Sequence, residues 1–371
     1  MSTSTRTPSN RTPSTRTPSA LVVGQLPPFS ELWTLIAVTI AVGVIFMLIG
    51  FSIPGWLIVS AITYLVVIGA LSAVAEGRRK ATDRVIRGLV TAAFLLAMIP
   101  LVSTLWTVIS HGIAQITPDF IFGVSRSEFD VNSLEVKVFP GALQAIVGTL
   151  ETTGIAALIS IPIGLLTAVW LTEYTLPTNP VRRIVTFLVD VMTGIPSIVA
   201  GLFAFSLFAL IRGPREAYSG FSAAIALCVL MIPIVVRASE EMIRLVPDEL
   251  REASYALGVP KWRTIIHVVL RTAVAGLVTG MVLAIARVIG ETAPIYIAAG
   301  IAGGLNTDPL NGAMQTLAVL AYTGYQFPNS QDPAASLLEA WGSALLLVIL
   351  VIVLNLVARI VSRLFAPKAR R

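Results

Sequence analysis

Eight apolar runs, each near the length that crosses a lipid bilayer, constrain this chain more than any other feature of its sequence. The runs lie at 32–52, 56–75, 87–110, 141–172, 187–211, 221–236, 273–299 and 338–364. A helix needs roughly 20 apolar residues to span the hydrocarbon core, and it satisfies its backbone hydrogen bonds internally. Hydrophobic residues make up 56% of the 371 and charged residues 12%, which is far less charge than soluble domains carry. The sequence therefore predicts an all-α polytopic membrane protein with eight transmembrane helices.

Proline and glycine mark three breaks in this pattern. Pro54 and Gly55 separate the first two runs and predict a tight transmembrane hairpin. Pro162 predicts a kink in the fourth run. The glycine and proline at 194–197 predict that the fifth helix is bent or unwound.

The distribution of charge predicts the orientation of the helices. Basic residues cluster at 78–87, 182–183, 237–271 and 368–371, whereas the segment 300–335 has no Lys or Arg. By the positive-inside rule the basic loops and both termini are cytoplasmic. The net charge of +6 is spread between apolar runs and predicts no nucleic-acid partner.

The N-terminal segment 1–30 differs in composition from the rest of the chain. An Arg-Thr-Pro-Ser tetrapeptide recurs there at a five-residue period. Its low apolar content and frequent proline predict a disordered basic tail.

A polar stretch at 237–272 interrupts the apolar sequence between the sixth and seventh runs. Pro247 suits the start of a helix, Gly258 suits its left-handed end, and Pro260 suits the start of a second helix. The stretch therefore predicts two short helices on the cytoplasmic membrane surface.

Arg287 and Glu291 are the strongest candidate site residues, since charges inside a membrane are costly and often functional. Their i, i+4 spacing places them on one helix face, and Gly290 and Pro294 would let the backbone open towards a cavity. Two interpretations follow. The pair either only holds helices together, or Arg287 contacts an oxyanion while Glu291 holds the guanidinium in place.

A second candidate set lies at the cytoplasmic end of the sixth run. It comprises Arg237, Glu240 and Glu241. Charges at helix ends also reach the interface at little cost, so a purely interfacial role is the alternative. Asp190 is expected to form an interfacial ion pair near the basic residues 182–183.

The sequence shows no signature of an enzyme. His111 and His267 are far apart and lack the spacing of metal ligands. The chain has no phosphate-binding loop for ATP, so any nucleotide would be held by another subunit. We therefore predict no catalytic residue, no metal site and no cofactor.

Glu252, Ala253 and Ser254, followed after three residues by Gly258, resemble the EAA loop of ABC-importer permeases. Arg271 stands where that family has proline, and Ser254 replaces the second alanine. In that family the loop docks into a groove on a cytoplasmic ATPase, which would approach closely at the small Ala253 and Ser254. The alternative is an ordinary loop that caps two helices.

From residue 84 onwards the chain resembles the PstA-type phosphate permeases. The matching stretches are 171–174, 196–203, 233–237, 245–247, 250–253, 255–258 and 284–294. The resemblance implies a type I ABC importer fold, a PstC-type sister permease in a heterodimer, a PstB-type ATPase dimer, an external phosphate-binding protein and a bacterial plasma membrane. It also makes Arg287 and Glu291 the expected translocation residues.

The resemblance divides the chain into a tail (1–30), an added transmembrane hairpin with its cytosolic loop (31–83) and a permease domain (84–371). The family has six spans, so the hairpin is a departure from it. Two other functions remain open at this point: a permease for sulfate or molybdate, or a membrane sensor or scaffold for phosphate-response signalling.

Overall fold

The structure, a computed structural model, describes residues 26–27, 29–50, 52–130, 135–330 and 332–365. Residues 1–25 of the predicted tail therefore lie outside the described residues. The helices are α1 (Ser30–Ile49), α2 (Ile53–Ala75), α3 (Arg78–Gly112), α4 (Pro118–Phe122), α5 (Leu143–Val169), α6 (Pro180–Thr193), α7 (Ser197–Arg212), α8 (Gly220–Arg244), α9 (Asp248–Ala256), α10 (Lys261–Thr264), α11 (Leu270–Val288), α12 (Ala293–Ala299), α13 (Leu317–Gln326) and α14 (Pro333–Phe365). A 3₁₀ turn lies at Ile113–Gln115, and π-helical turns lie at Trp170–Tyr174 and Ile265–Val269.

The helices confirm the membrane architecture. Seven are long and apolar enough to cross a membrane, and the bent pair α6 and α7 makes eight if it counts as one span. The bend between α6 and α7 is 105° and falls at 194–196, where glycine and proline predicted it. Pro162 lies inside α5, which runs as one helix from Leu143 to Val169.

The predicted polar loop 237–272 is shorter than expected, because both flanking helices extend into it. α8 continues to Arg244, so Arg237, Glu240 and Glu241 belong to that helix rather than to a loop. The predicted second short helix does begin after Pro260, but it is not a separate element. It continues without a break into the next span, as one helical stretch of 28 residues from Lys261 to Val288. Arg271 is compatible with this continuity, because unlike proline it supplies a backbone N–H to the helix.

The seventh predicted span opens where Gly290 and Pro294 indicated. α11 ends at Val288, and α12 begins at Ala293. Several elements in the segments predicted to lie outside were not predicted, and the short helix α4 is one of them. The others include the helix α13 and an antiparallel pair of strands, β1 (Arg126–Asp130) and β2 (Glu135–Phe139), in which Arg126 lies opposite Phe139.

The chain divides into two compact units, one up to Leu105 and one from Trp106. In the first, α1 packs against α2, and Trp56 Nε1 donates a hydrogen bond of 3.0 Å to the Thr39 carbonyl. The division falls inside α3, while the domain boundary at 83/84 stays a prediction.

The second unit is built around α8, the most buried of the candidate spans. The helices α5, α7, α11 and α12 pack against it. Small residues allow these close approaches, as is usual between membrane helices. A Cβ atom on Gly164 would lie 2.6 Å from Val235 of α8, and one on Gly280 would lie 2.9 Å from Ala238.

Candidate functional site

Arg287 and Glu291 lie where α11 breaks. Arg287 is in the last turn of that helix, and the Glu291 N–H donates to the Val288 carbonyl at 3.1 Å, just beyond the helix end. Arg287 Nη1 is 2.5 Å from Glu291 Oε1. The structure therefore brings the two candidates together, as their spacing indicated. Their exposures differ, since the Arg287 side chain is 65% exposed and the Glu291 side chain is 12% exposed.

This arrangement leaves the Arg287 guanidinium partly free. A guanidinium has five N–H donors, and the ion pair with Glu291 engages one of its nitrogens. An exposed arginine on a membrane-spanning helix is costly towards lipid, so its face suits a water-filled cavity or a partner. The remaining donors suit a tetrahedral oxyanion, and the ion pair with Glu291 restricts the orientation of the guanidinium.

The broken segment after Glu291 is held in place by α7. A Cβ atom on Gly201 would lie 2.7 Å from Pro294 Cα and 2.9 Å from its carbonyl oxygen. Only a residue without a side chain permits this approach. Ile295 is 1% exposed, so α12 begins in a packed environment. The backbone beside the candidate site is therefore fixed by packing.

The second candidate set forms an ion-pair network between α6 and α8. Arg237 bonds to Asp190 of α6 and, at 2.7 Å, to Glu240, which also accepts from Arg244 at 3.2 Å. Glu240 is 5% exposed, whereas Glu241 is exposed. Asp190 was expected to form an ion pair near the basic residues 182–183, but in the structure it pairs with Arg237 instead. Within the described part of the chain, no hydrogen bond or ion pair joins this network to Arg287 or Glu291.

The helix α9 carries the EAA-like motif and ends as expected. Gly258 has φ of +73°, the left-handed conformation that glycine accepts without strain. Glu252 and Ala253 are exposed. Ser254 differs from these two residues, and the approach of a partner there stays a prediction. Its side chain is 8% exposed, and its hydroxyl forms a 2.8 Å hydrogen bond with that of Thr264.

Exposed apolar residues flank α9 along the chain. Leu245 is 73% exposed, Leu257 83% and Trp262 52%. Exposed apolar residues that cluster on a polar connection mark a contact surface. These residues were not predicted as a contact surface, although apolar residues directly beside helix caps are a visible signal in the sequence.

Arg251 and Glu173 were also missed as functional candidates. Arg251 Nη2 is 2.9 Å from Glu173 Oε1, and the two side chains are 14% and 6% exposed. The pair joins α9 to the π-helical turn that ends α5. No local sequence signal could pair two residues that are 78 positions apart.

Comparison with known proteins places the chain among transport proteins. Residues 160–371 match the family described as binding-protein-dependent transport system inner membrane component. The phosphate transport system permease protein PstA 1 of Mycobacterium tuberculosis (strain ATCC 25618 / H37Rv) is 45% identical over 299 residues, which cover 79% of this chain and 91% of that protein. PstA of Mycobacterium leprae (strain TN) is 42% identical over 284 residues, or 75% and 88% of the two chains. PstA of Yersinia pestis is 34% identical over 292 residues, or 78% and 92%.

A solved structure shares the fold. A chain in the crystal structure of a bacterial alginate ABC transporter, in complex with alginate pentasaccharide-bound periplasmic protein, superposes with a TM-score of 0.53. Its identity is 15%, and the match covers 76% of this chain and 95% of that one. This likeness concerns the fold alone.

Proposed function

The chain belongs to the inner membrane components of binding-protein-dependent transport systems, and among them to the PstA-type permeases, and on that premise we propose that it conducts inorganic phosphate in an ATP-driven importer. The observation that carries this proposal is the 45% identity with a phosphate permease, over 91% of that protein's length. The accessible guanidinium of Arg287, at a break in a membrane-spanning helix, supports an anionic substrate.

The importer needs other subunits. A binding-protein-dependent system combines its membrane component with a substrate-binding protein and an ATPase, and this chain has no phosphate-binding loop of its own. More specifically, we propose a heterodimer with a PstC-type permease, a PstB-type ATPase dimer and an external phosphate-binding protein. The clustered basic loops support a plasma-membrane orientation with both termini in the cytoplasm.

The helical connections suggest how ATP drives transport. Closure of the ATPases moves α9, which is tied through Ser254 and Thr264 to α10. From α10 one helical stretch continues to Val288, so a displacement at its cytoplasmic end is carried towards Arg287. Phosphate delivered from outside would bind the free donors of Arg287 and leave inward as the helices rock between two states.

Docking of the ATPase is proposed at the exposed surface of α9, formed by Glu252, Ala253 and Leu257. Leu257→Ala removes an 83% exposed apolar contact and should lower the amount of ATPase that co-purifies with the permease. Leu310→Ala is the matched control, because Leu310 is 52% exposed in the predicted outer segment. Equal co-purification in both variants would refute docking through Leu257.

Uptake of radiolabelled phosphate and sulfate by cells that lack the gene tests the function. Complementation should restore phosphate uptake and leave sulfate uptake unchanged. Restored sulfate or molybdate uptake would favour the permease for another oxyanion. Phosphate uptake that is normal without the gene would favour the sensor or scaffold.

A further inference from the structure

Arg251 forms hydrogen bonds that reach well beyond its own short helix, α9. Its acceptors are the Glu173 carboxylate (2.9 and 3.2 Å), the carbonyls of Ile243 (3.0 Å) and Val246 (2.6 Å), and the Asp248 carboxylate (2.8 Å). Glu173 belongs to the turn that ends α5, and Ile243 belongs to the last part of α8. One guanidinium therefore connects α9 to two membrane helices.

Capping alone does not account for these contacts. A cation beside the last carbonyls of α8 is favourable because it complements the helix dipole. That role explains the bonds to Ile243 and Val246. It does not require Glu173, which is 6% exposed and would be an unpaired buried charge without Arg251.

We propose that Arg251 is a positioning residue that transmits the motion of α9 to α5 and α8, and this rests on the proposed importer function. In the described residues, the Arg251–Glu173 ion pair is the one that joins α9 to the end of α5. The Ser254–Thr264 hydrogen bond ties α9 to the other side, towards α11. A movement of α9 is thus delivered to helices on both sides of the loop.

Replacing Arg251 and Glu173 by apolar residues of similar volume separates a role in transmitting motion from a role in folding. Arg251→Met leaves the buried Glu173 carboxylate without its partner, which is destabilising. Glu173→Leu breaks the same link but leaves Arg251 bonded to Asp248 and to the Ile243 and Val246 carbonyls. The double variant leaves neither charge, so stability and ATPase association should recover, as they often do when a buried ion pair is replaced by apolar residues. The link between α9 and α5 is still absent in the double variant.

The test uses the complete complex, with its ATPase and binding protein, reconstituted in proteoliposomes. We expect the double variant to associate with the ATPase as the wild type does, yet to consume several-fold more ATP per phosphate transported, because movement of α9 no longer reaches α5 through this link. Arg263→Gln, on neighbouring α10, removes an exposed charge and should leave that ratio unchanged.

A double variant with the wild-type ratio would overturn the proposal and leave Arg251 a purely structural role. If the wild-type complex itself transports no phosphate, the proposed function fails instead. The two failures are therefore distinguishable in the same experiment.

Discussion

Replacing Gly201 by alanine tests whether the backbone beside the candidate site is held by packing. The new Cβ would lie 2.7 Å from Pro294 Cα, which is 0.7 Å inside the 3.4 Å where ordinary contact begins. The obstructing atoms are backbone atoms of α12, so no side chain can rotate away. Overpacking of this kind costs about 1–3 kcal/mol. The helix preference of alanine over glycine offsets roughly 0.5–1 kcal/mol of that cost.

Gly154→Ala is the matched control. Gly154 also lies inside a helix, α5, but nothing lies within 4 Å of the atom that alanine would add. Thermal unfolding of both purified variants should show Gly201→Ala below the wild type and Gly154→Ala at or above it. Phosphate uptake should fall in Gly201→Ala, because α12 and the break at Glu291 must shift. Equal stability of the two variants would refute the packing argument.

Two further predictions concern buried polar contacts. Ser254→Ala leaves the fully buried Thr264 hydroxyl without its hydrogen-bond partner and should destabilise the protein by about 1–3 kcal/mol. Thermal unfolding measures this effect, and an unchanged unfolding temperature would contradict the prediction. The pKa of the Glu76 carboxyl is held below its usual range by the Leu26 N–H and by Arg84. That contribution to stability is present above the ordinary carboxyl pKa and is lost as the pH falls through the lowered one. Glu76→Gln should therefore lower the unfolding temperature at pH 7, and its difference from the wild type should shrink as the pH falls below the ordinary carboxyl pKa and through the lowered one. A difference that stays constant with pH would contradict this.

Local patterns predicted much of this structure. The apolar runs, the bend at 194–197, the break near Gly290 and the left-handed Gly258 all follow from the preferences of a few neighbouring residues. The Arg287–Glu291 pair could be predicted from its i, i+4 spacing, and the two residues meet although Glu291 lies just beyond the end of α11.

Contacts between distant residues explain what the sequence did not predict. The end of α8 looks like a polar loop, yet Arg237 is paired with Asp190, 47 positions away, and the charged turn stays helical. The Arg251–Glu173 link arises in the same way. Ser254 was predicted to face another subunit. In the structure its hydroxyl is hydrogen-bonded to that of Thr264, ten residues further along the chain.

The accessibility of Arg287 to the transported anion is the central claim, and the uptake of phosphate by Arg287→Gln tests it most directly. Arg87→Gln is the matched control, because Arg87 is also 65% exposed and also forms an i, i+4 ion pair on a helix, with Asp83. At equal membrane levels, we expect phosphate uptake to be lost in Arg287→Gln and retained in Arg87→Gln. Equal uptake by the two variants would contradict the claim and leave Arg287 and Glu291 as a pair that only stabilises the helix end.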